Sequence, residues 1–152
     1  MESLHVGWTL DIFGEGPLKE ELQHQIDCCG LTSSVHLRGY SDNIIDEYAN
    51  YSVHLMTSHT EGQGLVLLEA QAAGIPSVTF DFEFGASDVI TNGKNGLLVP
   101  QDDEEAFQTA ICHVMDSEAE RKRMGEESLR LSVGYNKESI MFLWERLLLS
   151  TL

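Results

Sequence analysis

Five short apolar runs, each closed by glycine, proline or a polar loop and separated by segments of helical period, constrain this chain more than any other feature. The runs are Trp8 to Phe13, Val35 to Leu37, Val53 to Met56, Ser77 to Phe80 and Leu97 to Val99. Between the first two, Pro17 suits a first helical turn, and Leu18, Leu22 and Ile26 recur at helical spacing until Gly30 stops them. Ser41 or Asp42 caps a helix carrying Ile44, Ile45 and Tyr48. Leu65 to Ala73 reads as a mostly apolar helix ended by Gly74, and Asp88 to Ile90 fits one further turn. Asp102 to Glu105 then place four acids at a helix start, where the macrodipole favours them. From there to Leu152 the pattern is helical, with breaks near Ser117 and Gly134. Apolar strands alternating with helices predict an α/β fold: a parallel sheet with helices on both faces and a helical C-terminus. The whole chain, 1–152, reads as one such domain.

Composition narrows the function. A chain of 152 residues with 42% hydrophobic side chains can bury a core, which excludes disorder as the dominant state. No uncharged apolar run approaches the roughly 18 residues of a membrane helix. The N-terminus lacks a basic region followed by an apolar stretch, so a cytoplasmic location is expected. The formal charge is −16, with 21 acids against 3 bases in residues 1–120 and 4 against 6 in residues 121–152. Affinity for nucleic acid rests on Lys and Arg neutralising phosphates, so nucleic acid is not an expected partner. Cys28, Cys29 and Cys112 form no metal or disulfide framework, and the six histidines show no ligand spacing, so no metal site is expected.

In an open parallel sheet, ligands bind beyond the carboxyl ends of the strands. The loop Gly14-Glu15-Gly16-Pro17 begins like a dinucleotide fingerprint, but Lys19 stands where the third glycine belongs. A dinucleotide reading would need Arg38 to meet a 2′-phosphate. The loop His59-Thr60-Glu61-Gly62-Gln63-Gly64 is more informative, because its glycines let backbone approach a ligand just before an apolar helix. Free amides of Gly64, Leu65 and Val66 would open that helix as an anion site. Glu69 is a carboxylate inside an otherwise apolar stretch, and an ionised carboxylate leaves water at high cost unless something bonds to it. A sugar diol, donating two hydroxyl hydrogens, suits it. The plain alternative is a solvated stripe shared with Gln71, although Gln71 sits about 200° around the helix from Glu69.

Glu61-Gly62-Gln63-Gly64-Leu65-Val66-Leu67-Leu68-Glu69 resembles the Glu-x7-Glu signature of retaining nucleotide-sugar glycosyltransferases built from two Rossmann-like domains, the GT-B architecture. Four other segments match in order: Gly14-Glu15-Gly16-Pro17, Val35 to Tyr40, Ala73 to Val78, and Gly85 to Val99 with its donor loop and last strand. The resemblance runs from about Trp8 to Leu148 and implies the C-terminal, donor-binding half of such an enzyme. It implies that Glu69 accepts from the nucleotide ribose and that Glu61, the catalytic residue, contacts the sugar and helps position it for transfer with retention. It further implies that Gly62, Gly64, Leu65 and Val66 meet the diphosphate and sugar, while Gly16, Arg38 and Tyr40 border the donor. The expected ligand is a nucleotide-sugar, UDP-linked, with no metal or other cofactor.

The departures bear on activity. Phe84-Gly85 and Asp88 replace the usual two glycines and glutamate of the donor loop. An earlier strand and loop, carrying a diphosphate-gripping Arg and Lys, precede the matching region in the family, as does the acceptor domain. The chain alone is therefore expected to be inactive and to need an N-terminal acceptor domain or partner chain. In the full-length enzyme, a peripheral position at the inner membrane face fits a lipid-linked acceptor. A non-catalytic nucleotide-sugar-binding or scaffolding module is the alternative, and an epimerase of the same architecture is disfavoured by the complete signature. Two structural expectations follow. The eight apolar residues Ile140 to Trp144 and Leu147 to Leu149 exceed one buried stripe, so part of this helix should be exposed or form a self-contact. Loss of a strand between Trp8–Phe13 and Val53–Met56 should be met by a borrowed strand or homo-oligomer contact, rather than by direct pairing of Ile12 with Leu55.

Overall fold

The computed structural model describes residues 7–83 and 85–150, which fall into two compact units, 1–44 and 45–152. The first unit holds β1 (Leu10–Phe13), α1 (Lys19–Cys28) and β2 (Val35–Gly39). β1 and β2 run parallel, Leu10 opposite Val35 and Ile12 opposite Leu37, with an irregularity between Ile12 and Phe13. The expected strand from Trp8 starts at Leu10 instead, whose amide donates to the Ser34 carbonyl at 2.8 Å. Among the described residues of this unit Ile26 is the buried apolar side chain, whereas Leu10, Ile12, Leu18 and Leu22 stay more than a third exposed.

The second unit opens within α2 (Ile44–Glu47), a single turn that runs into a 3-10 turn at Tyr48–Asn50. Ser41 Oγ accepts from the Asn43 amide at 3.3 Å, a turn bond ahead of that helix rather than the expected cap on one of its amides. Then come β3 (His54–Met56), α3 (Leu65–Ala72), β4 (Ser77–Phe80), α4 (Ala86–Val89) and β5 (Gly96–Val99), and last α5 (Glu104–Asp116), α6 (Glu118–Ser132) and α7 (Lys137–Ser150). The three strands form one parallel sheet in the order β3-β4-β5. β4 is buried along its whole length because both faces are covered. On one face Met56 packs with Leu67, Phe82, Ala86, Val89 and Ile90. On the other, Val78, Phe80 and Val99 meet Phe107 and Val114 of α5 and Met124 of α6.

Ser117 ends α5 and caps α6 through its hydroxyl, which accepts from the Glu120 amide, and a 3-10 turn at Val133–Tyr135 marks the break near Gly134. α6 lies close on α3: a Cβ at Gly125 would collide with the Gly74 carbonyl oxygen. α7 has no buried residue, and Met141, Phe142, Leu143, Trp144, Leu147, Leu148 and Leu149 are each more than half exposed, as its composition predicts. Among the described residues no ladder joins β1 to β3. Ile12 pairs with Leu37 and Leu55 with Val78, so the two strands are not directly paired and the parallel strands form two sheets. The strand expected between them is not among the described residues. No helix among them is long and apolar enough to cross a membrane.

Candidate functional site

The site is built where α3 begins. Gly64 takes left-handed dihedrals, φ 60° and ψ 42°, and serves as the N-cap without a side-chain cap. Only glycine adopts this turn readily. Space does not demand it, since a Cβ there would meet Leu67 Cδ1 at 3.4 Å and Phe82 Cζ at 3.5 Å, ordinary contact distances; the left-handed φ is what favours glycine. The helix closes with the Leu67 amide on the Gly64 carbonyl at 2.9 Å. The amides of Gly64, Leu65 and Val66 take no acceptor among the described residues. Unpaired amides and the positive end of the α3 dipole thus coincide at the helix start after β3, which suits an anion.

Glu69 stands on the second turn, half-buried, and its carboxylate pairs with no cation among the described residues. The solvated-stripe alternative fails at Gln71, which is buried, with neither amide atom bonded. Glu61, also half-buried, and the exposed Gly62 sit on the loop before Gly64. Thus Glu61, Gly62, Gly64, Leu65, Val66 and Glu69 lie on one loop-and-helix start, with the Leu65 and Val66 side chains facing solvent. The loop after β4 meets this one. Gly85, at φ 107°, approaches Gln63 so closely that a Cβ would stand 3.3 Å from both its carbonyl carbon and oxygen. Phe84 lies outside the described residues, and the helical turn falls at Ala86–Val89, two residues earlier than its apolar pattern suggests, because Gly85 opens it.

In the first unit, Gly16 and Tyr40 are exposed, Tyr40 strongly so. The turns after β1 and β2 are joined by the Gly14 amide on the Gly39 carbonyl at 2.8 Å. Arg38 is held by Asp11, Nε to Oδ2 at 3.0 Å, while the other carboxylate oxygen lies 2.8 Å from His36 Nδ1. Sequence reading missed Asp11. Its signal was a polar residue between Leu10 and Ile12, directly opposite His36 in the parallel register.

Tyr48 was also missed as part of the site. It is buried, its hydroxyl donates to the Val66 carbonyl at 3.4 Å, and its ring stands edge-on to His54 at 6.1 Å. Burial, with the neighbouring Glu69 charge, pushes its phenol up to about 12. Burial pushes the His54 imidazole down to about 4, and its Nδ1 lies 3.1 Å from Ser77 Oγ. No group of three or more His, Cys, Asp or Glu side chains is gathered to hold a metal among the described residues.

The parallel α/β fold, with a glycine-capped helix start one turn before a carboxylate, is the arrangement that the resemblance implied. Residues 1–130 match the family described as glycosyl transferases group 1, and the chain belongs to it. It is 40% identical over 144 residues to an exopolysaccharide phosphotransferase of Streptomyces coelicolor, covering 94% of this chain and 15% of that protein. It is 33% identical over 135 residues to a poly(glycerol-phosphate) α-glucosyltransferase of Bacillus subtilis, covering 89% of this chain and 20% of the relative. The fold matches TarM of Staphylococcus aureus, solved with fondaparinux, α-GlcNAc-glycerol and UDP, at a TM-score of 0.83 and 29% identity. That match covers 91% of this chain and 28% of TarM. The fold is that of the C-terminal half of a GT-B glycosyltransferase. The chain spans no more than about a fifth of the length of these two curated relatives.

Proposed function

We propose that this chain is the donor-binding half of a retaining glycosyltransferase, moving a sugar from a UDP-sugar to a glycan or lipid-linked acceptor. The observation that carries the reading is the set of unpaired amides at Gly64, Leu65 and Val66, with Glu69 one turn beyond on the same helix. The amides take the diphosphate, where leaving-group charge develops, and a preorganised set of donors stabilises that charge without moving. Glu69 accepts from the two ribose hydroxyls, which meets the cost of holding its carboxylate half out of water. Glu61 reaches the sugar from the loop and orients it for transfer. No metal is needed in this scheme, because amides supply the positive end.

Transfer requires an acceptor held at the sugar and water kept out, so this half acts with an N-terminal acceptor domain or partner chain. It works in the cytoplasm, at the inner membrane face when the acceptor is lipid-linked. UDP in the related TarM structure supports the choice of nucleotide.

The test is calorimetric. UDP should bind, and Glu69→Gln should weaken it by about 1–3 kcal/mol, the scale of a hydrogen bond to a charged group. Unchanged affinity with the fold intact would remove Glu69 from the site. A second reading is a non-catalytic nucleotide-sugar-binding or scaffolding module. It is supported by the share of the relatives' length that this chain spans, 15% and 20%, which leaves most of each enzyme to other segments. Sugar transfer assayed with and without a co-expressed acceptor half separates the two, since a scaffolding module gives none in either case.

A further inference from the structure

The first turn of α3 is poorly held from outside. Leu65 and Val66 point to solvent, and the N-cap is a glycine that offers no side chain. From inside it is held by the packing of Leu67, by the bond from the Leu67 amide to Gly64, and by one hydroxyl, that of Tyr48 on the Val66 carbonyl. Tyr48 lies 18 residues earlier in the chain, on the 3-10 turn before β3. Its ring is braced edge-on by His54 of β3, which in turn reaches Ser77 of β4. A continuous chain of contacts therefore ties the turn to two strands of the sheet.

Phenylalanine would fill the same space without the cost of burying a hydroxyl, so the hydroxyl is the informative part of this residue. Its proton stays in place across the whole physiological range, because burial and the nearby Glu69 carboxylate both oppose ionisation. It can therefore act at that range as a donor to the carbonyl.

We infer that Tyr48 is a positioning residue of the nucleotide site: its hydroxyl fixes the first turn of α3, and with it the amides of Leu65 and Val66 and the carboxylate of Glu69. The inference rests on the reading of those groups as the UDP site. The experiment titrates UDP calorimetrically into the unaltered chain, Tyr48→Phe, Glu69→Gln and the double variant, with amide hydrogen exchange on each. Tyr48→Phe keeps the ring and should weaken UDP roughly 3- to 10-fold, the size of one neutral hydrogen bond. The double variant should lose less than the product of the two single losses, because the two groups act through one turn. Exchange should quicken at Leu67 and Leu68 while β4 stays protected. Unchanged UDP affinity in Tyr48→Phe, with Glu69→Gln weakened, overturns the positioning role and leaves the site reading standing. A loss accompanied by faster exchange throughout β4 assigns Tyr48 to stability alone and also overturns it. Absence of UDP binding by the unaltered chain overturns both readings.

Discussion

The two units share one sequence grammar, strand then helix then strand, yet they reach different degrees of burial. In 45–152, β4 is covered on both faces, and Leu67, Val78, Ala86 and Val114 are fully buried. In 1–44, Leu10 and Ile12 of β1 keep more than a third of their surface, and Ile26 is the buried apolar side chain. Apolar period thus specifies where strands and helices form, but burial requires a covering layer on each face. The polar groups follow the same division. His54 of β3 is neutralised by burial, whereas His36 of β2 is half-buried against the Asp11 carboxylate.

The sharpest way to break this contrast is Leu67→Ala, which removes a fully buried side chain from the Met56–Phe82 cluster and should cost about 2–5 kcal/mol in denaturant unfolding. A loss below about 1 kcal/mol would show that the cluster collapses without it. A pH series comes next. Burial holds the folded His54 at about 4 against an ordinary 6.5. Above pH 6.5 both states are neutral and its contribution is whole. Between 6.5 and 4 the unfolded chain binds a proton that the folded chain does not, so stability falls as pH drops. Below about 4 the loss is complete, about 3 kcal/mol. His54→Gln should flatten that part of the profile, and an unchanged slope would place the sensitivity elsewhere. The smallest effect belongs to the first unit: Ile12→Ala should cost about 1 kcal/mol or less, and a loss as large as that of Leu67→Ala would erase the distinction.

The same contrast explains what the sequence made legible. β4 lies at Ser77–Phe80 and α3 begins at Leu65, as read, because apolar composition and flanking glycine or proline coincide there. Trp8 and Thr9 read as strand but are not, because a strand boundary depends on the partner, and the ladder with β2 starts at Leu10. The turn at Ala86–Val89 is one turn long, too short for a period to register. The Glu61–Glu69 spacing was visible because it is local. Tyr48 on Val66 and Asp11 on Arg38 were not, because each bond joins residues far apart in sequence and depends on the finished packing.

The abutment of Gly85 on Gln63 has a consequence for how such a site can diversify. Any side chain at Gly85 presses on the backbone of the loop after β3, and φ at 107° already disfavours one. The two loops therefore vary as one heritable unit. A side chain at Gly85 would have to be matched by a shift of the Gln63 backbone, so a change at Gly85 should be tolerated only with a compensating change in the loop after β3.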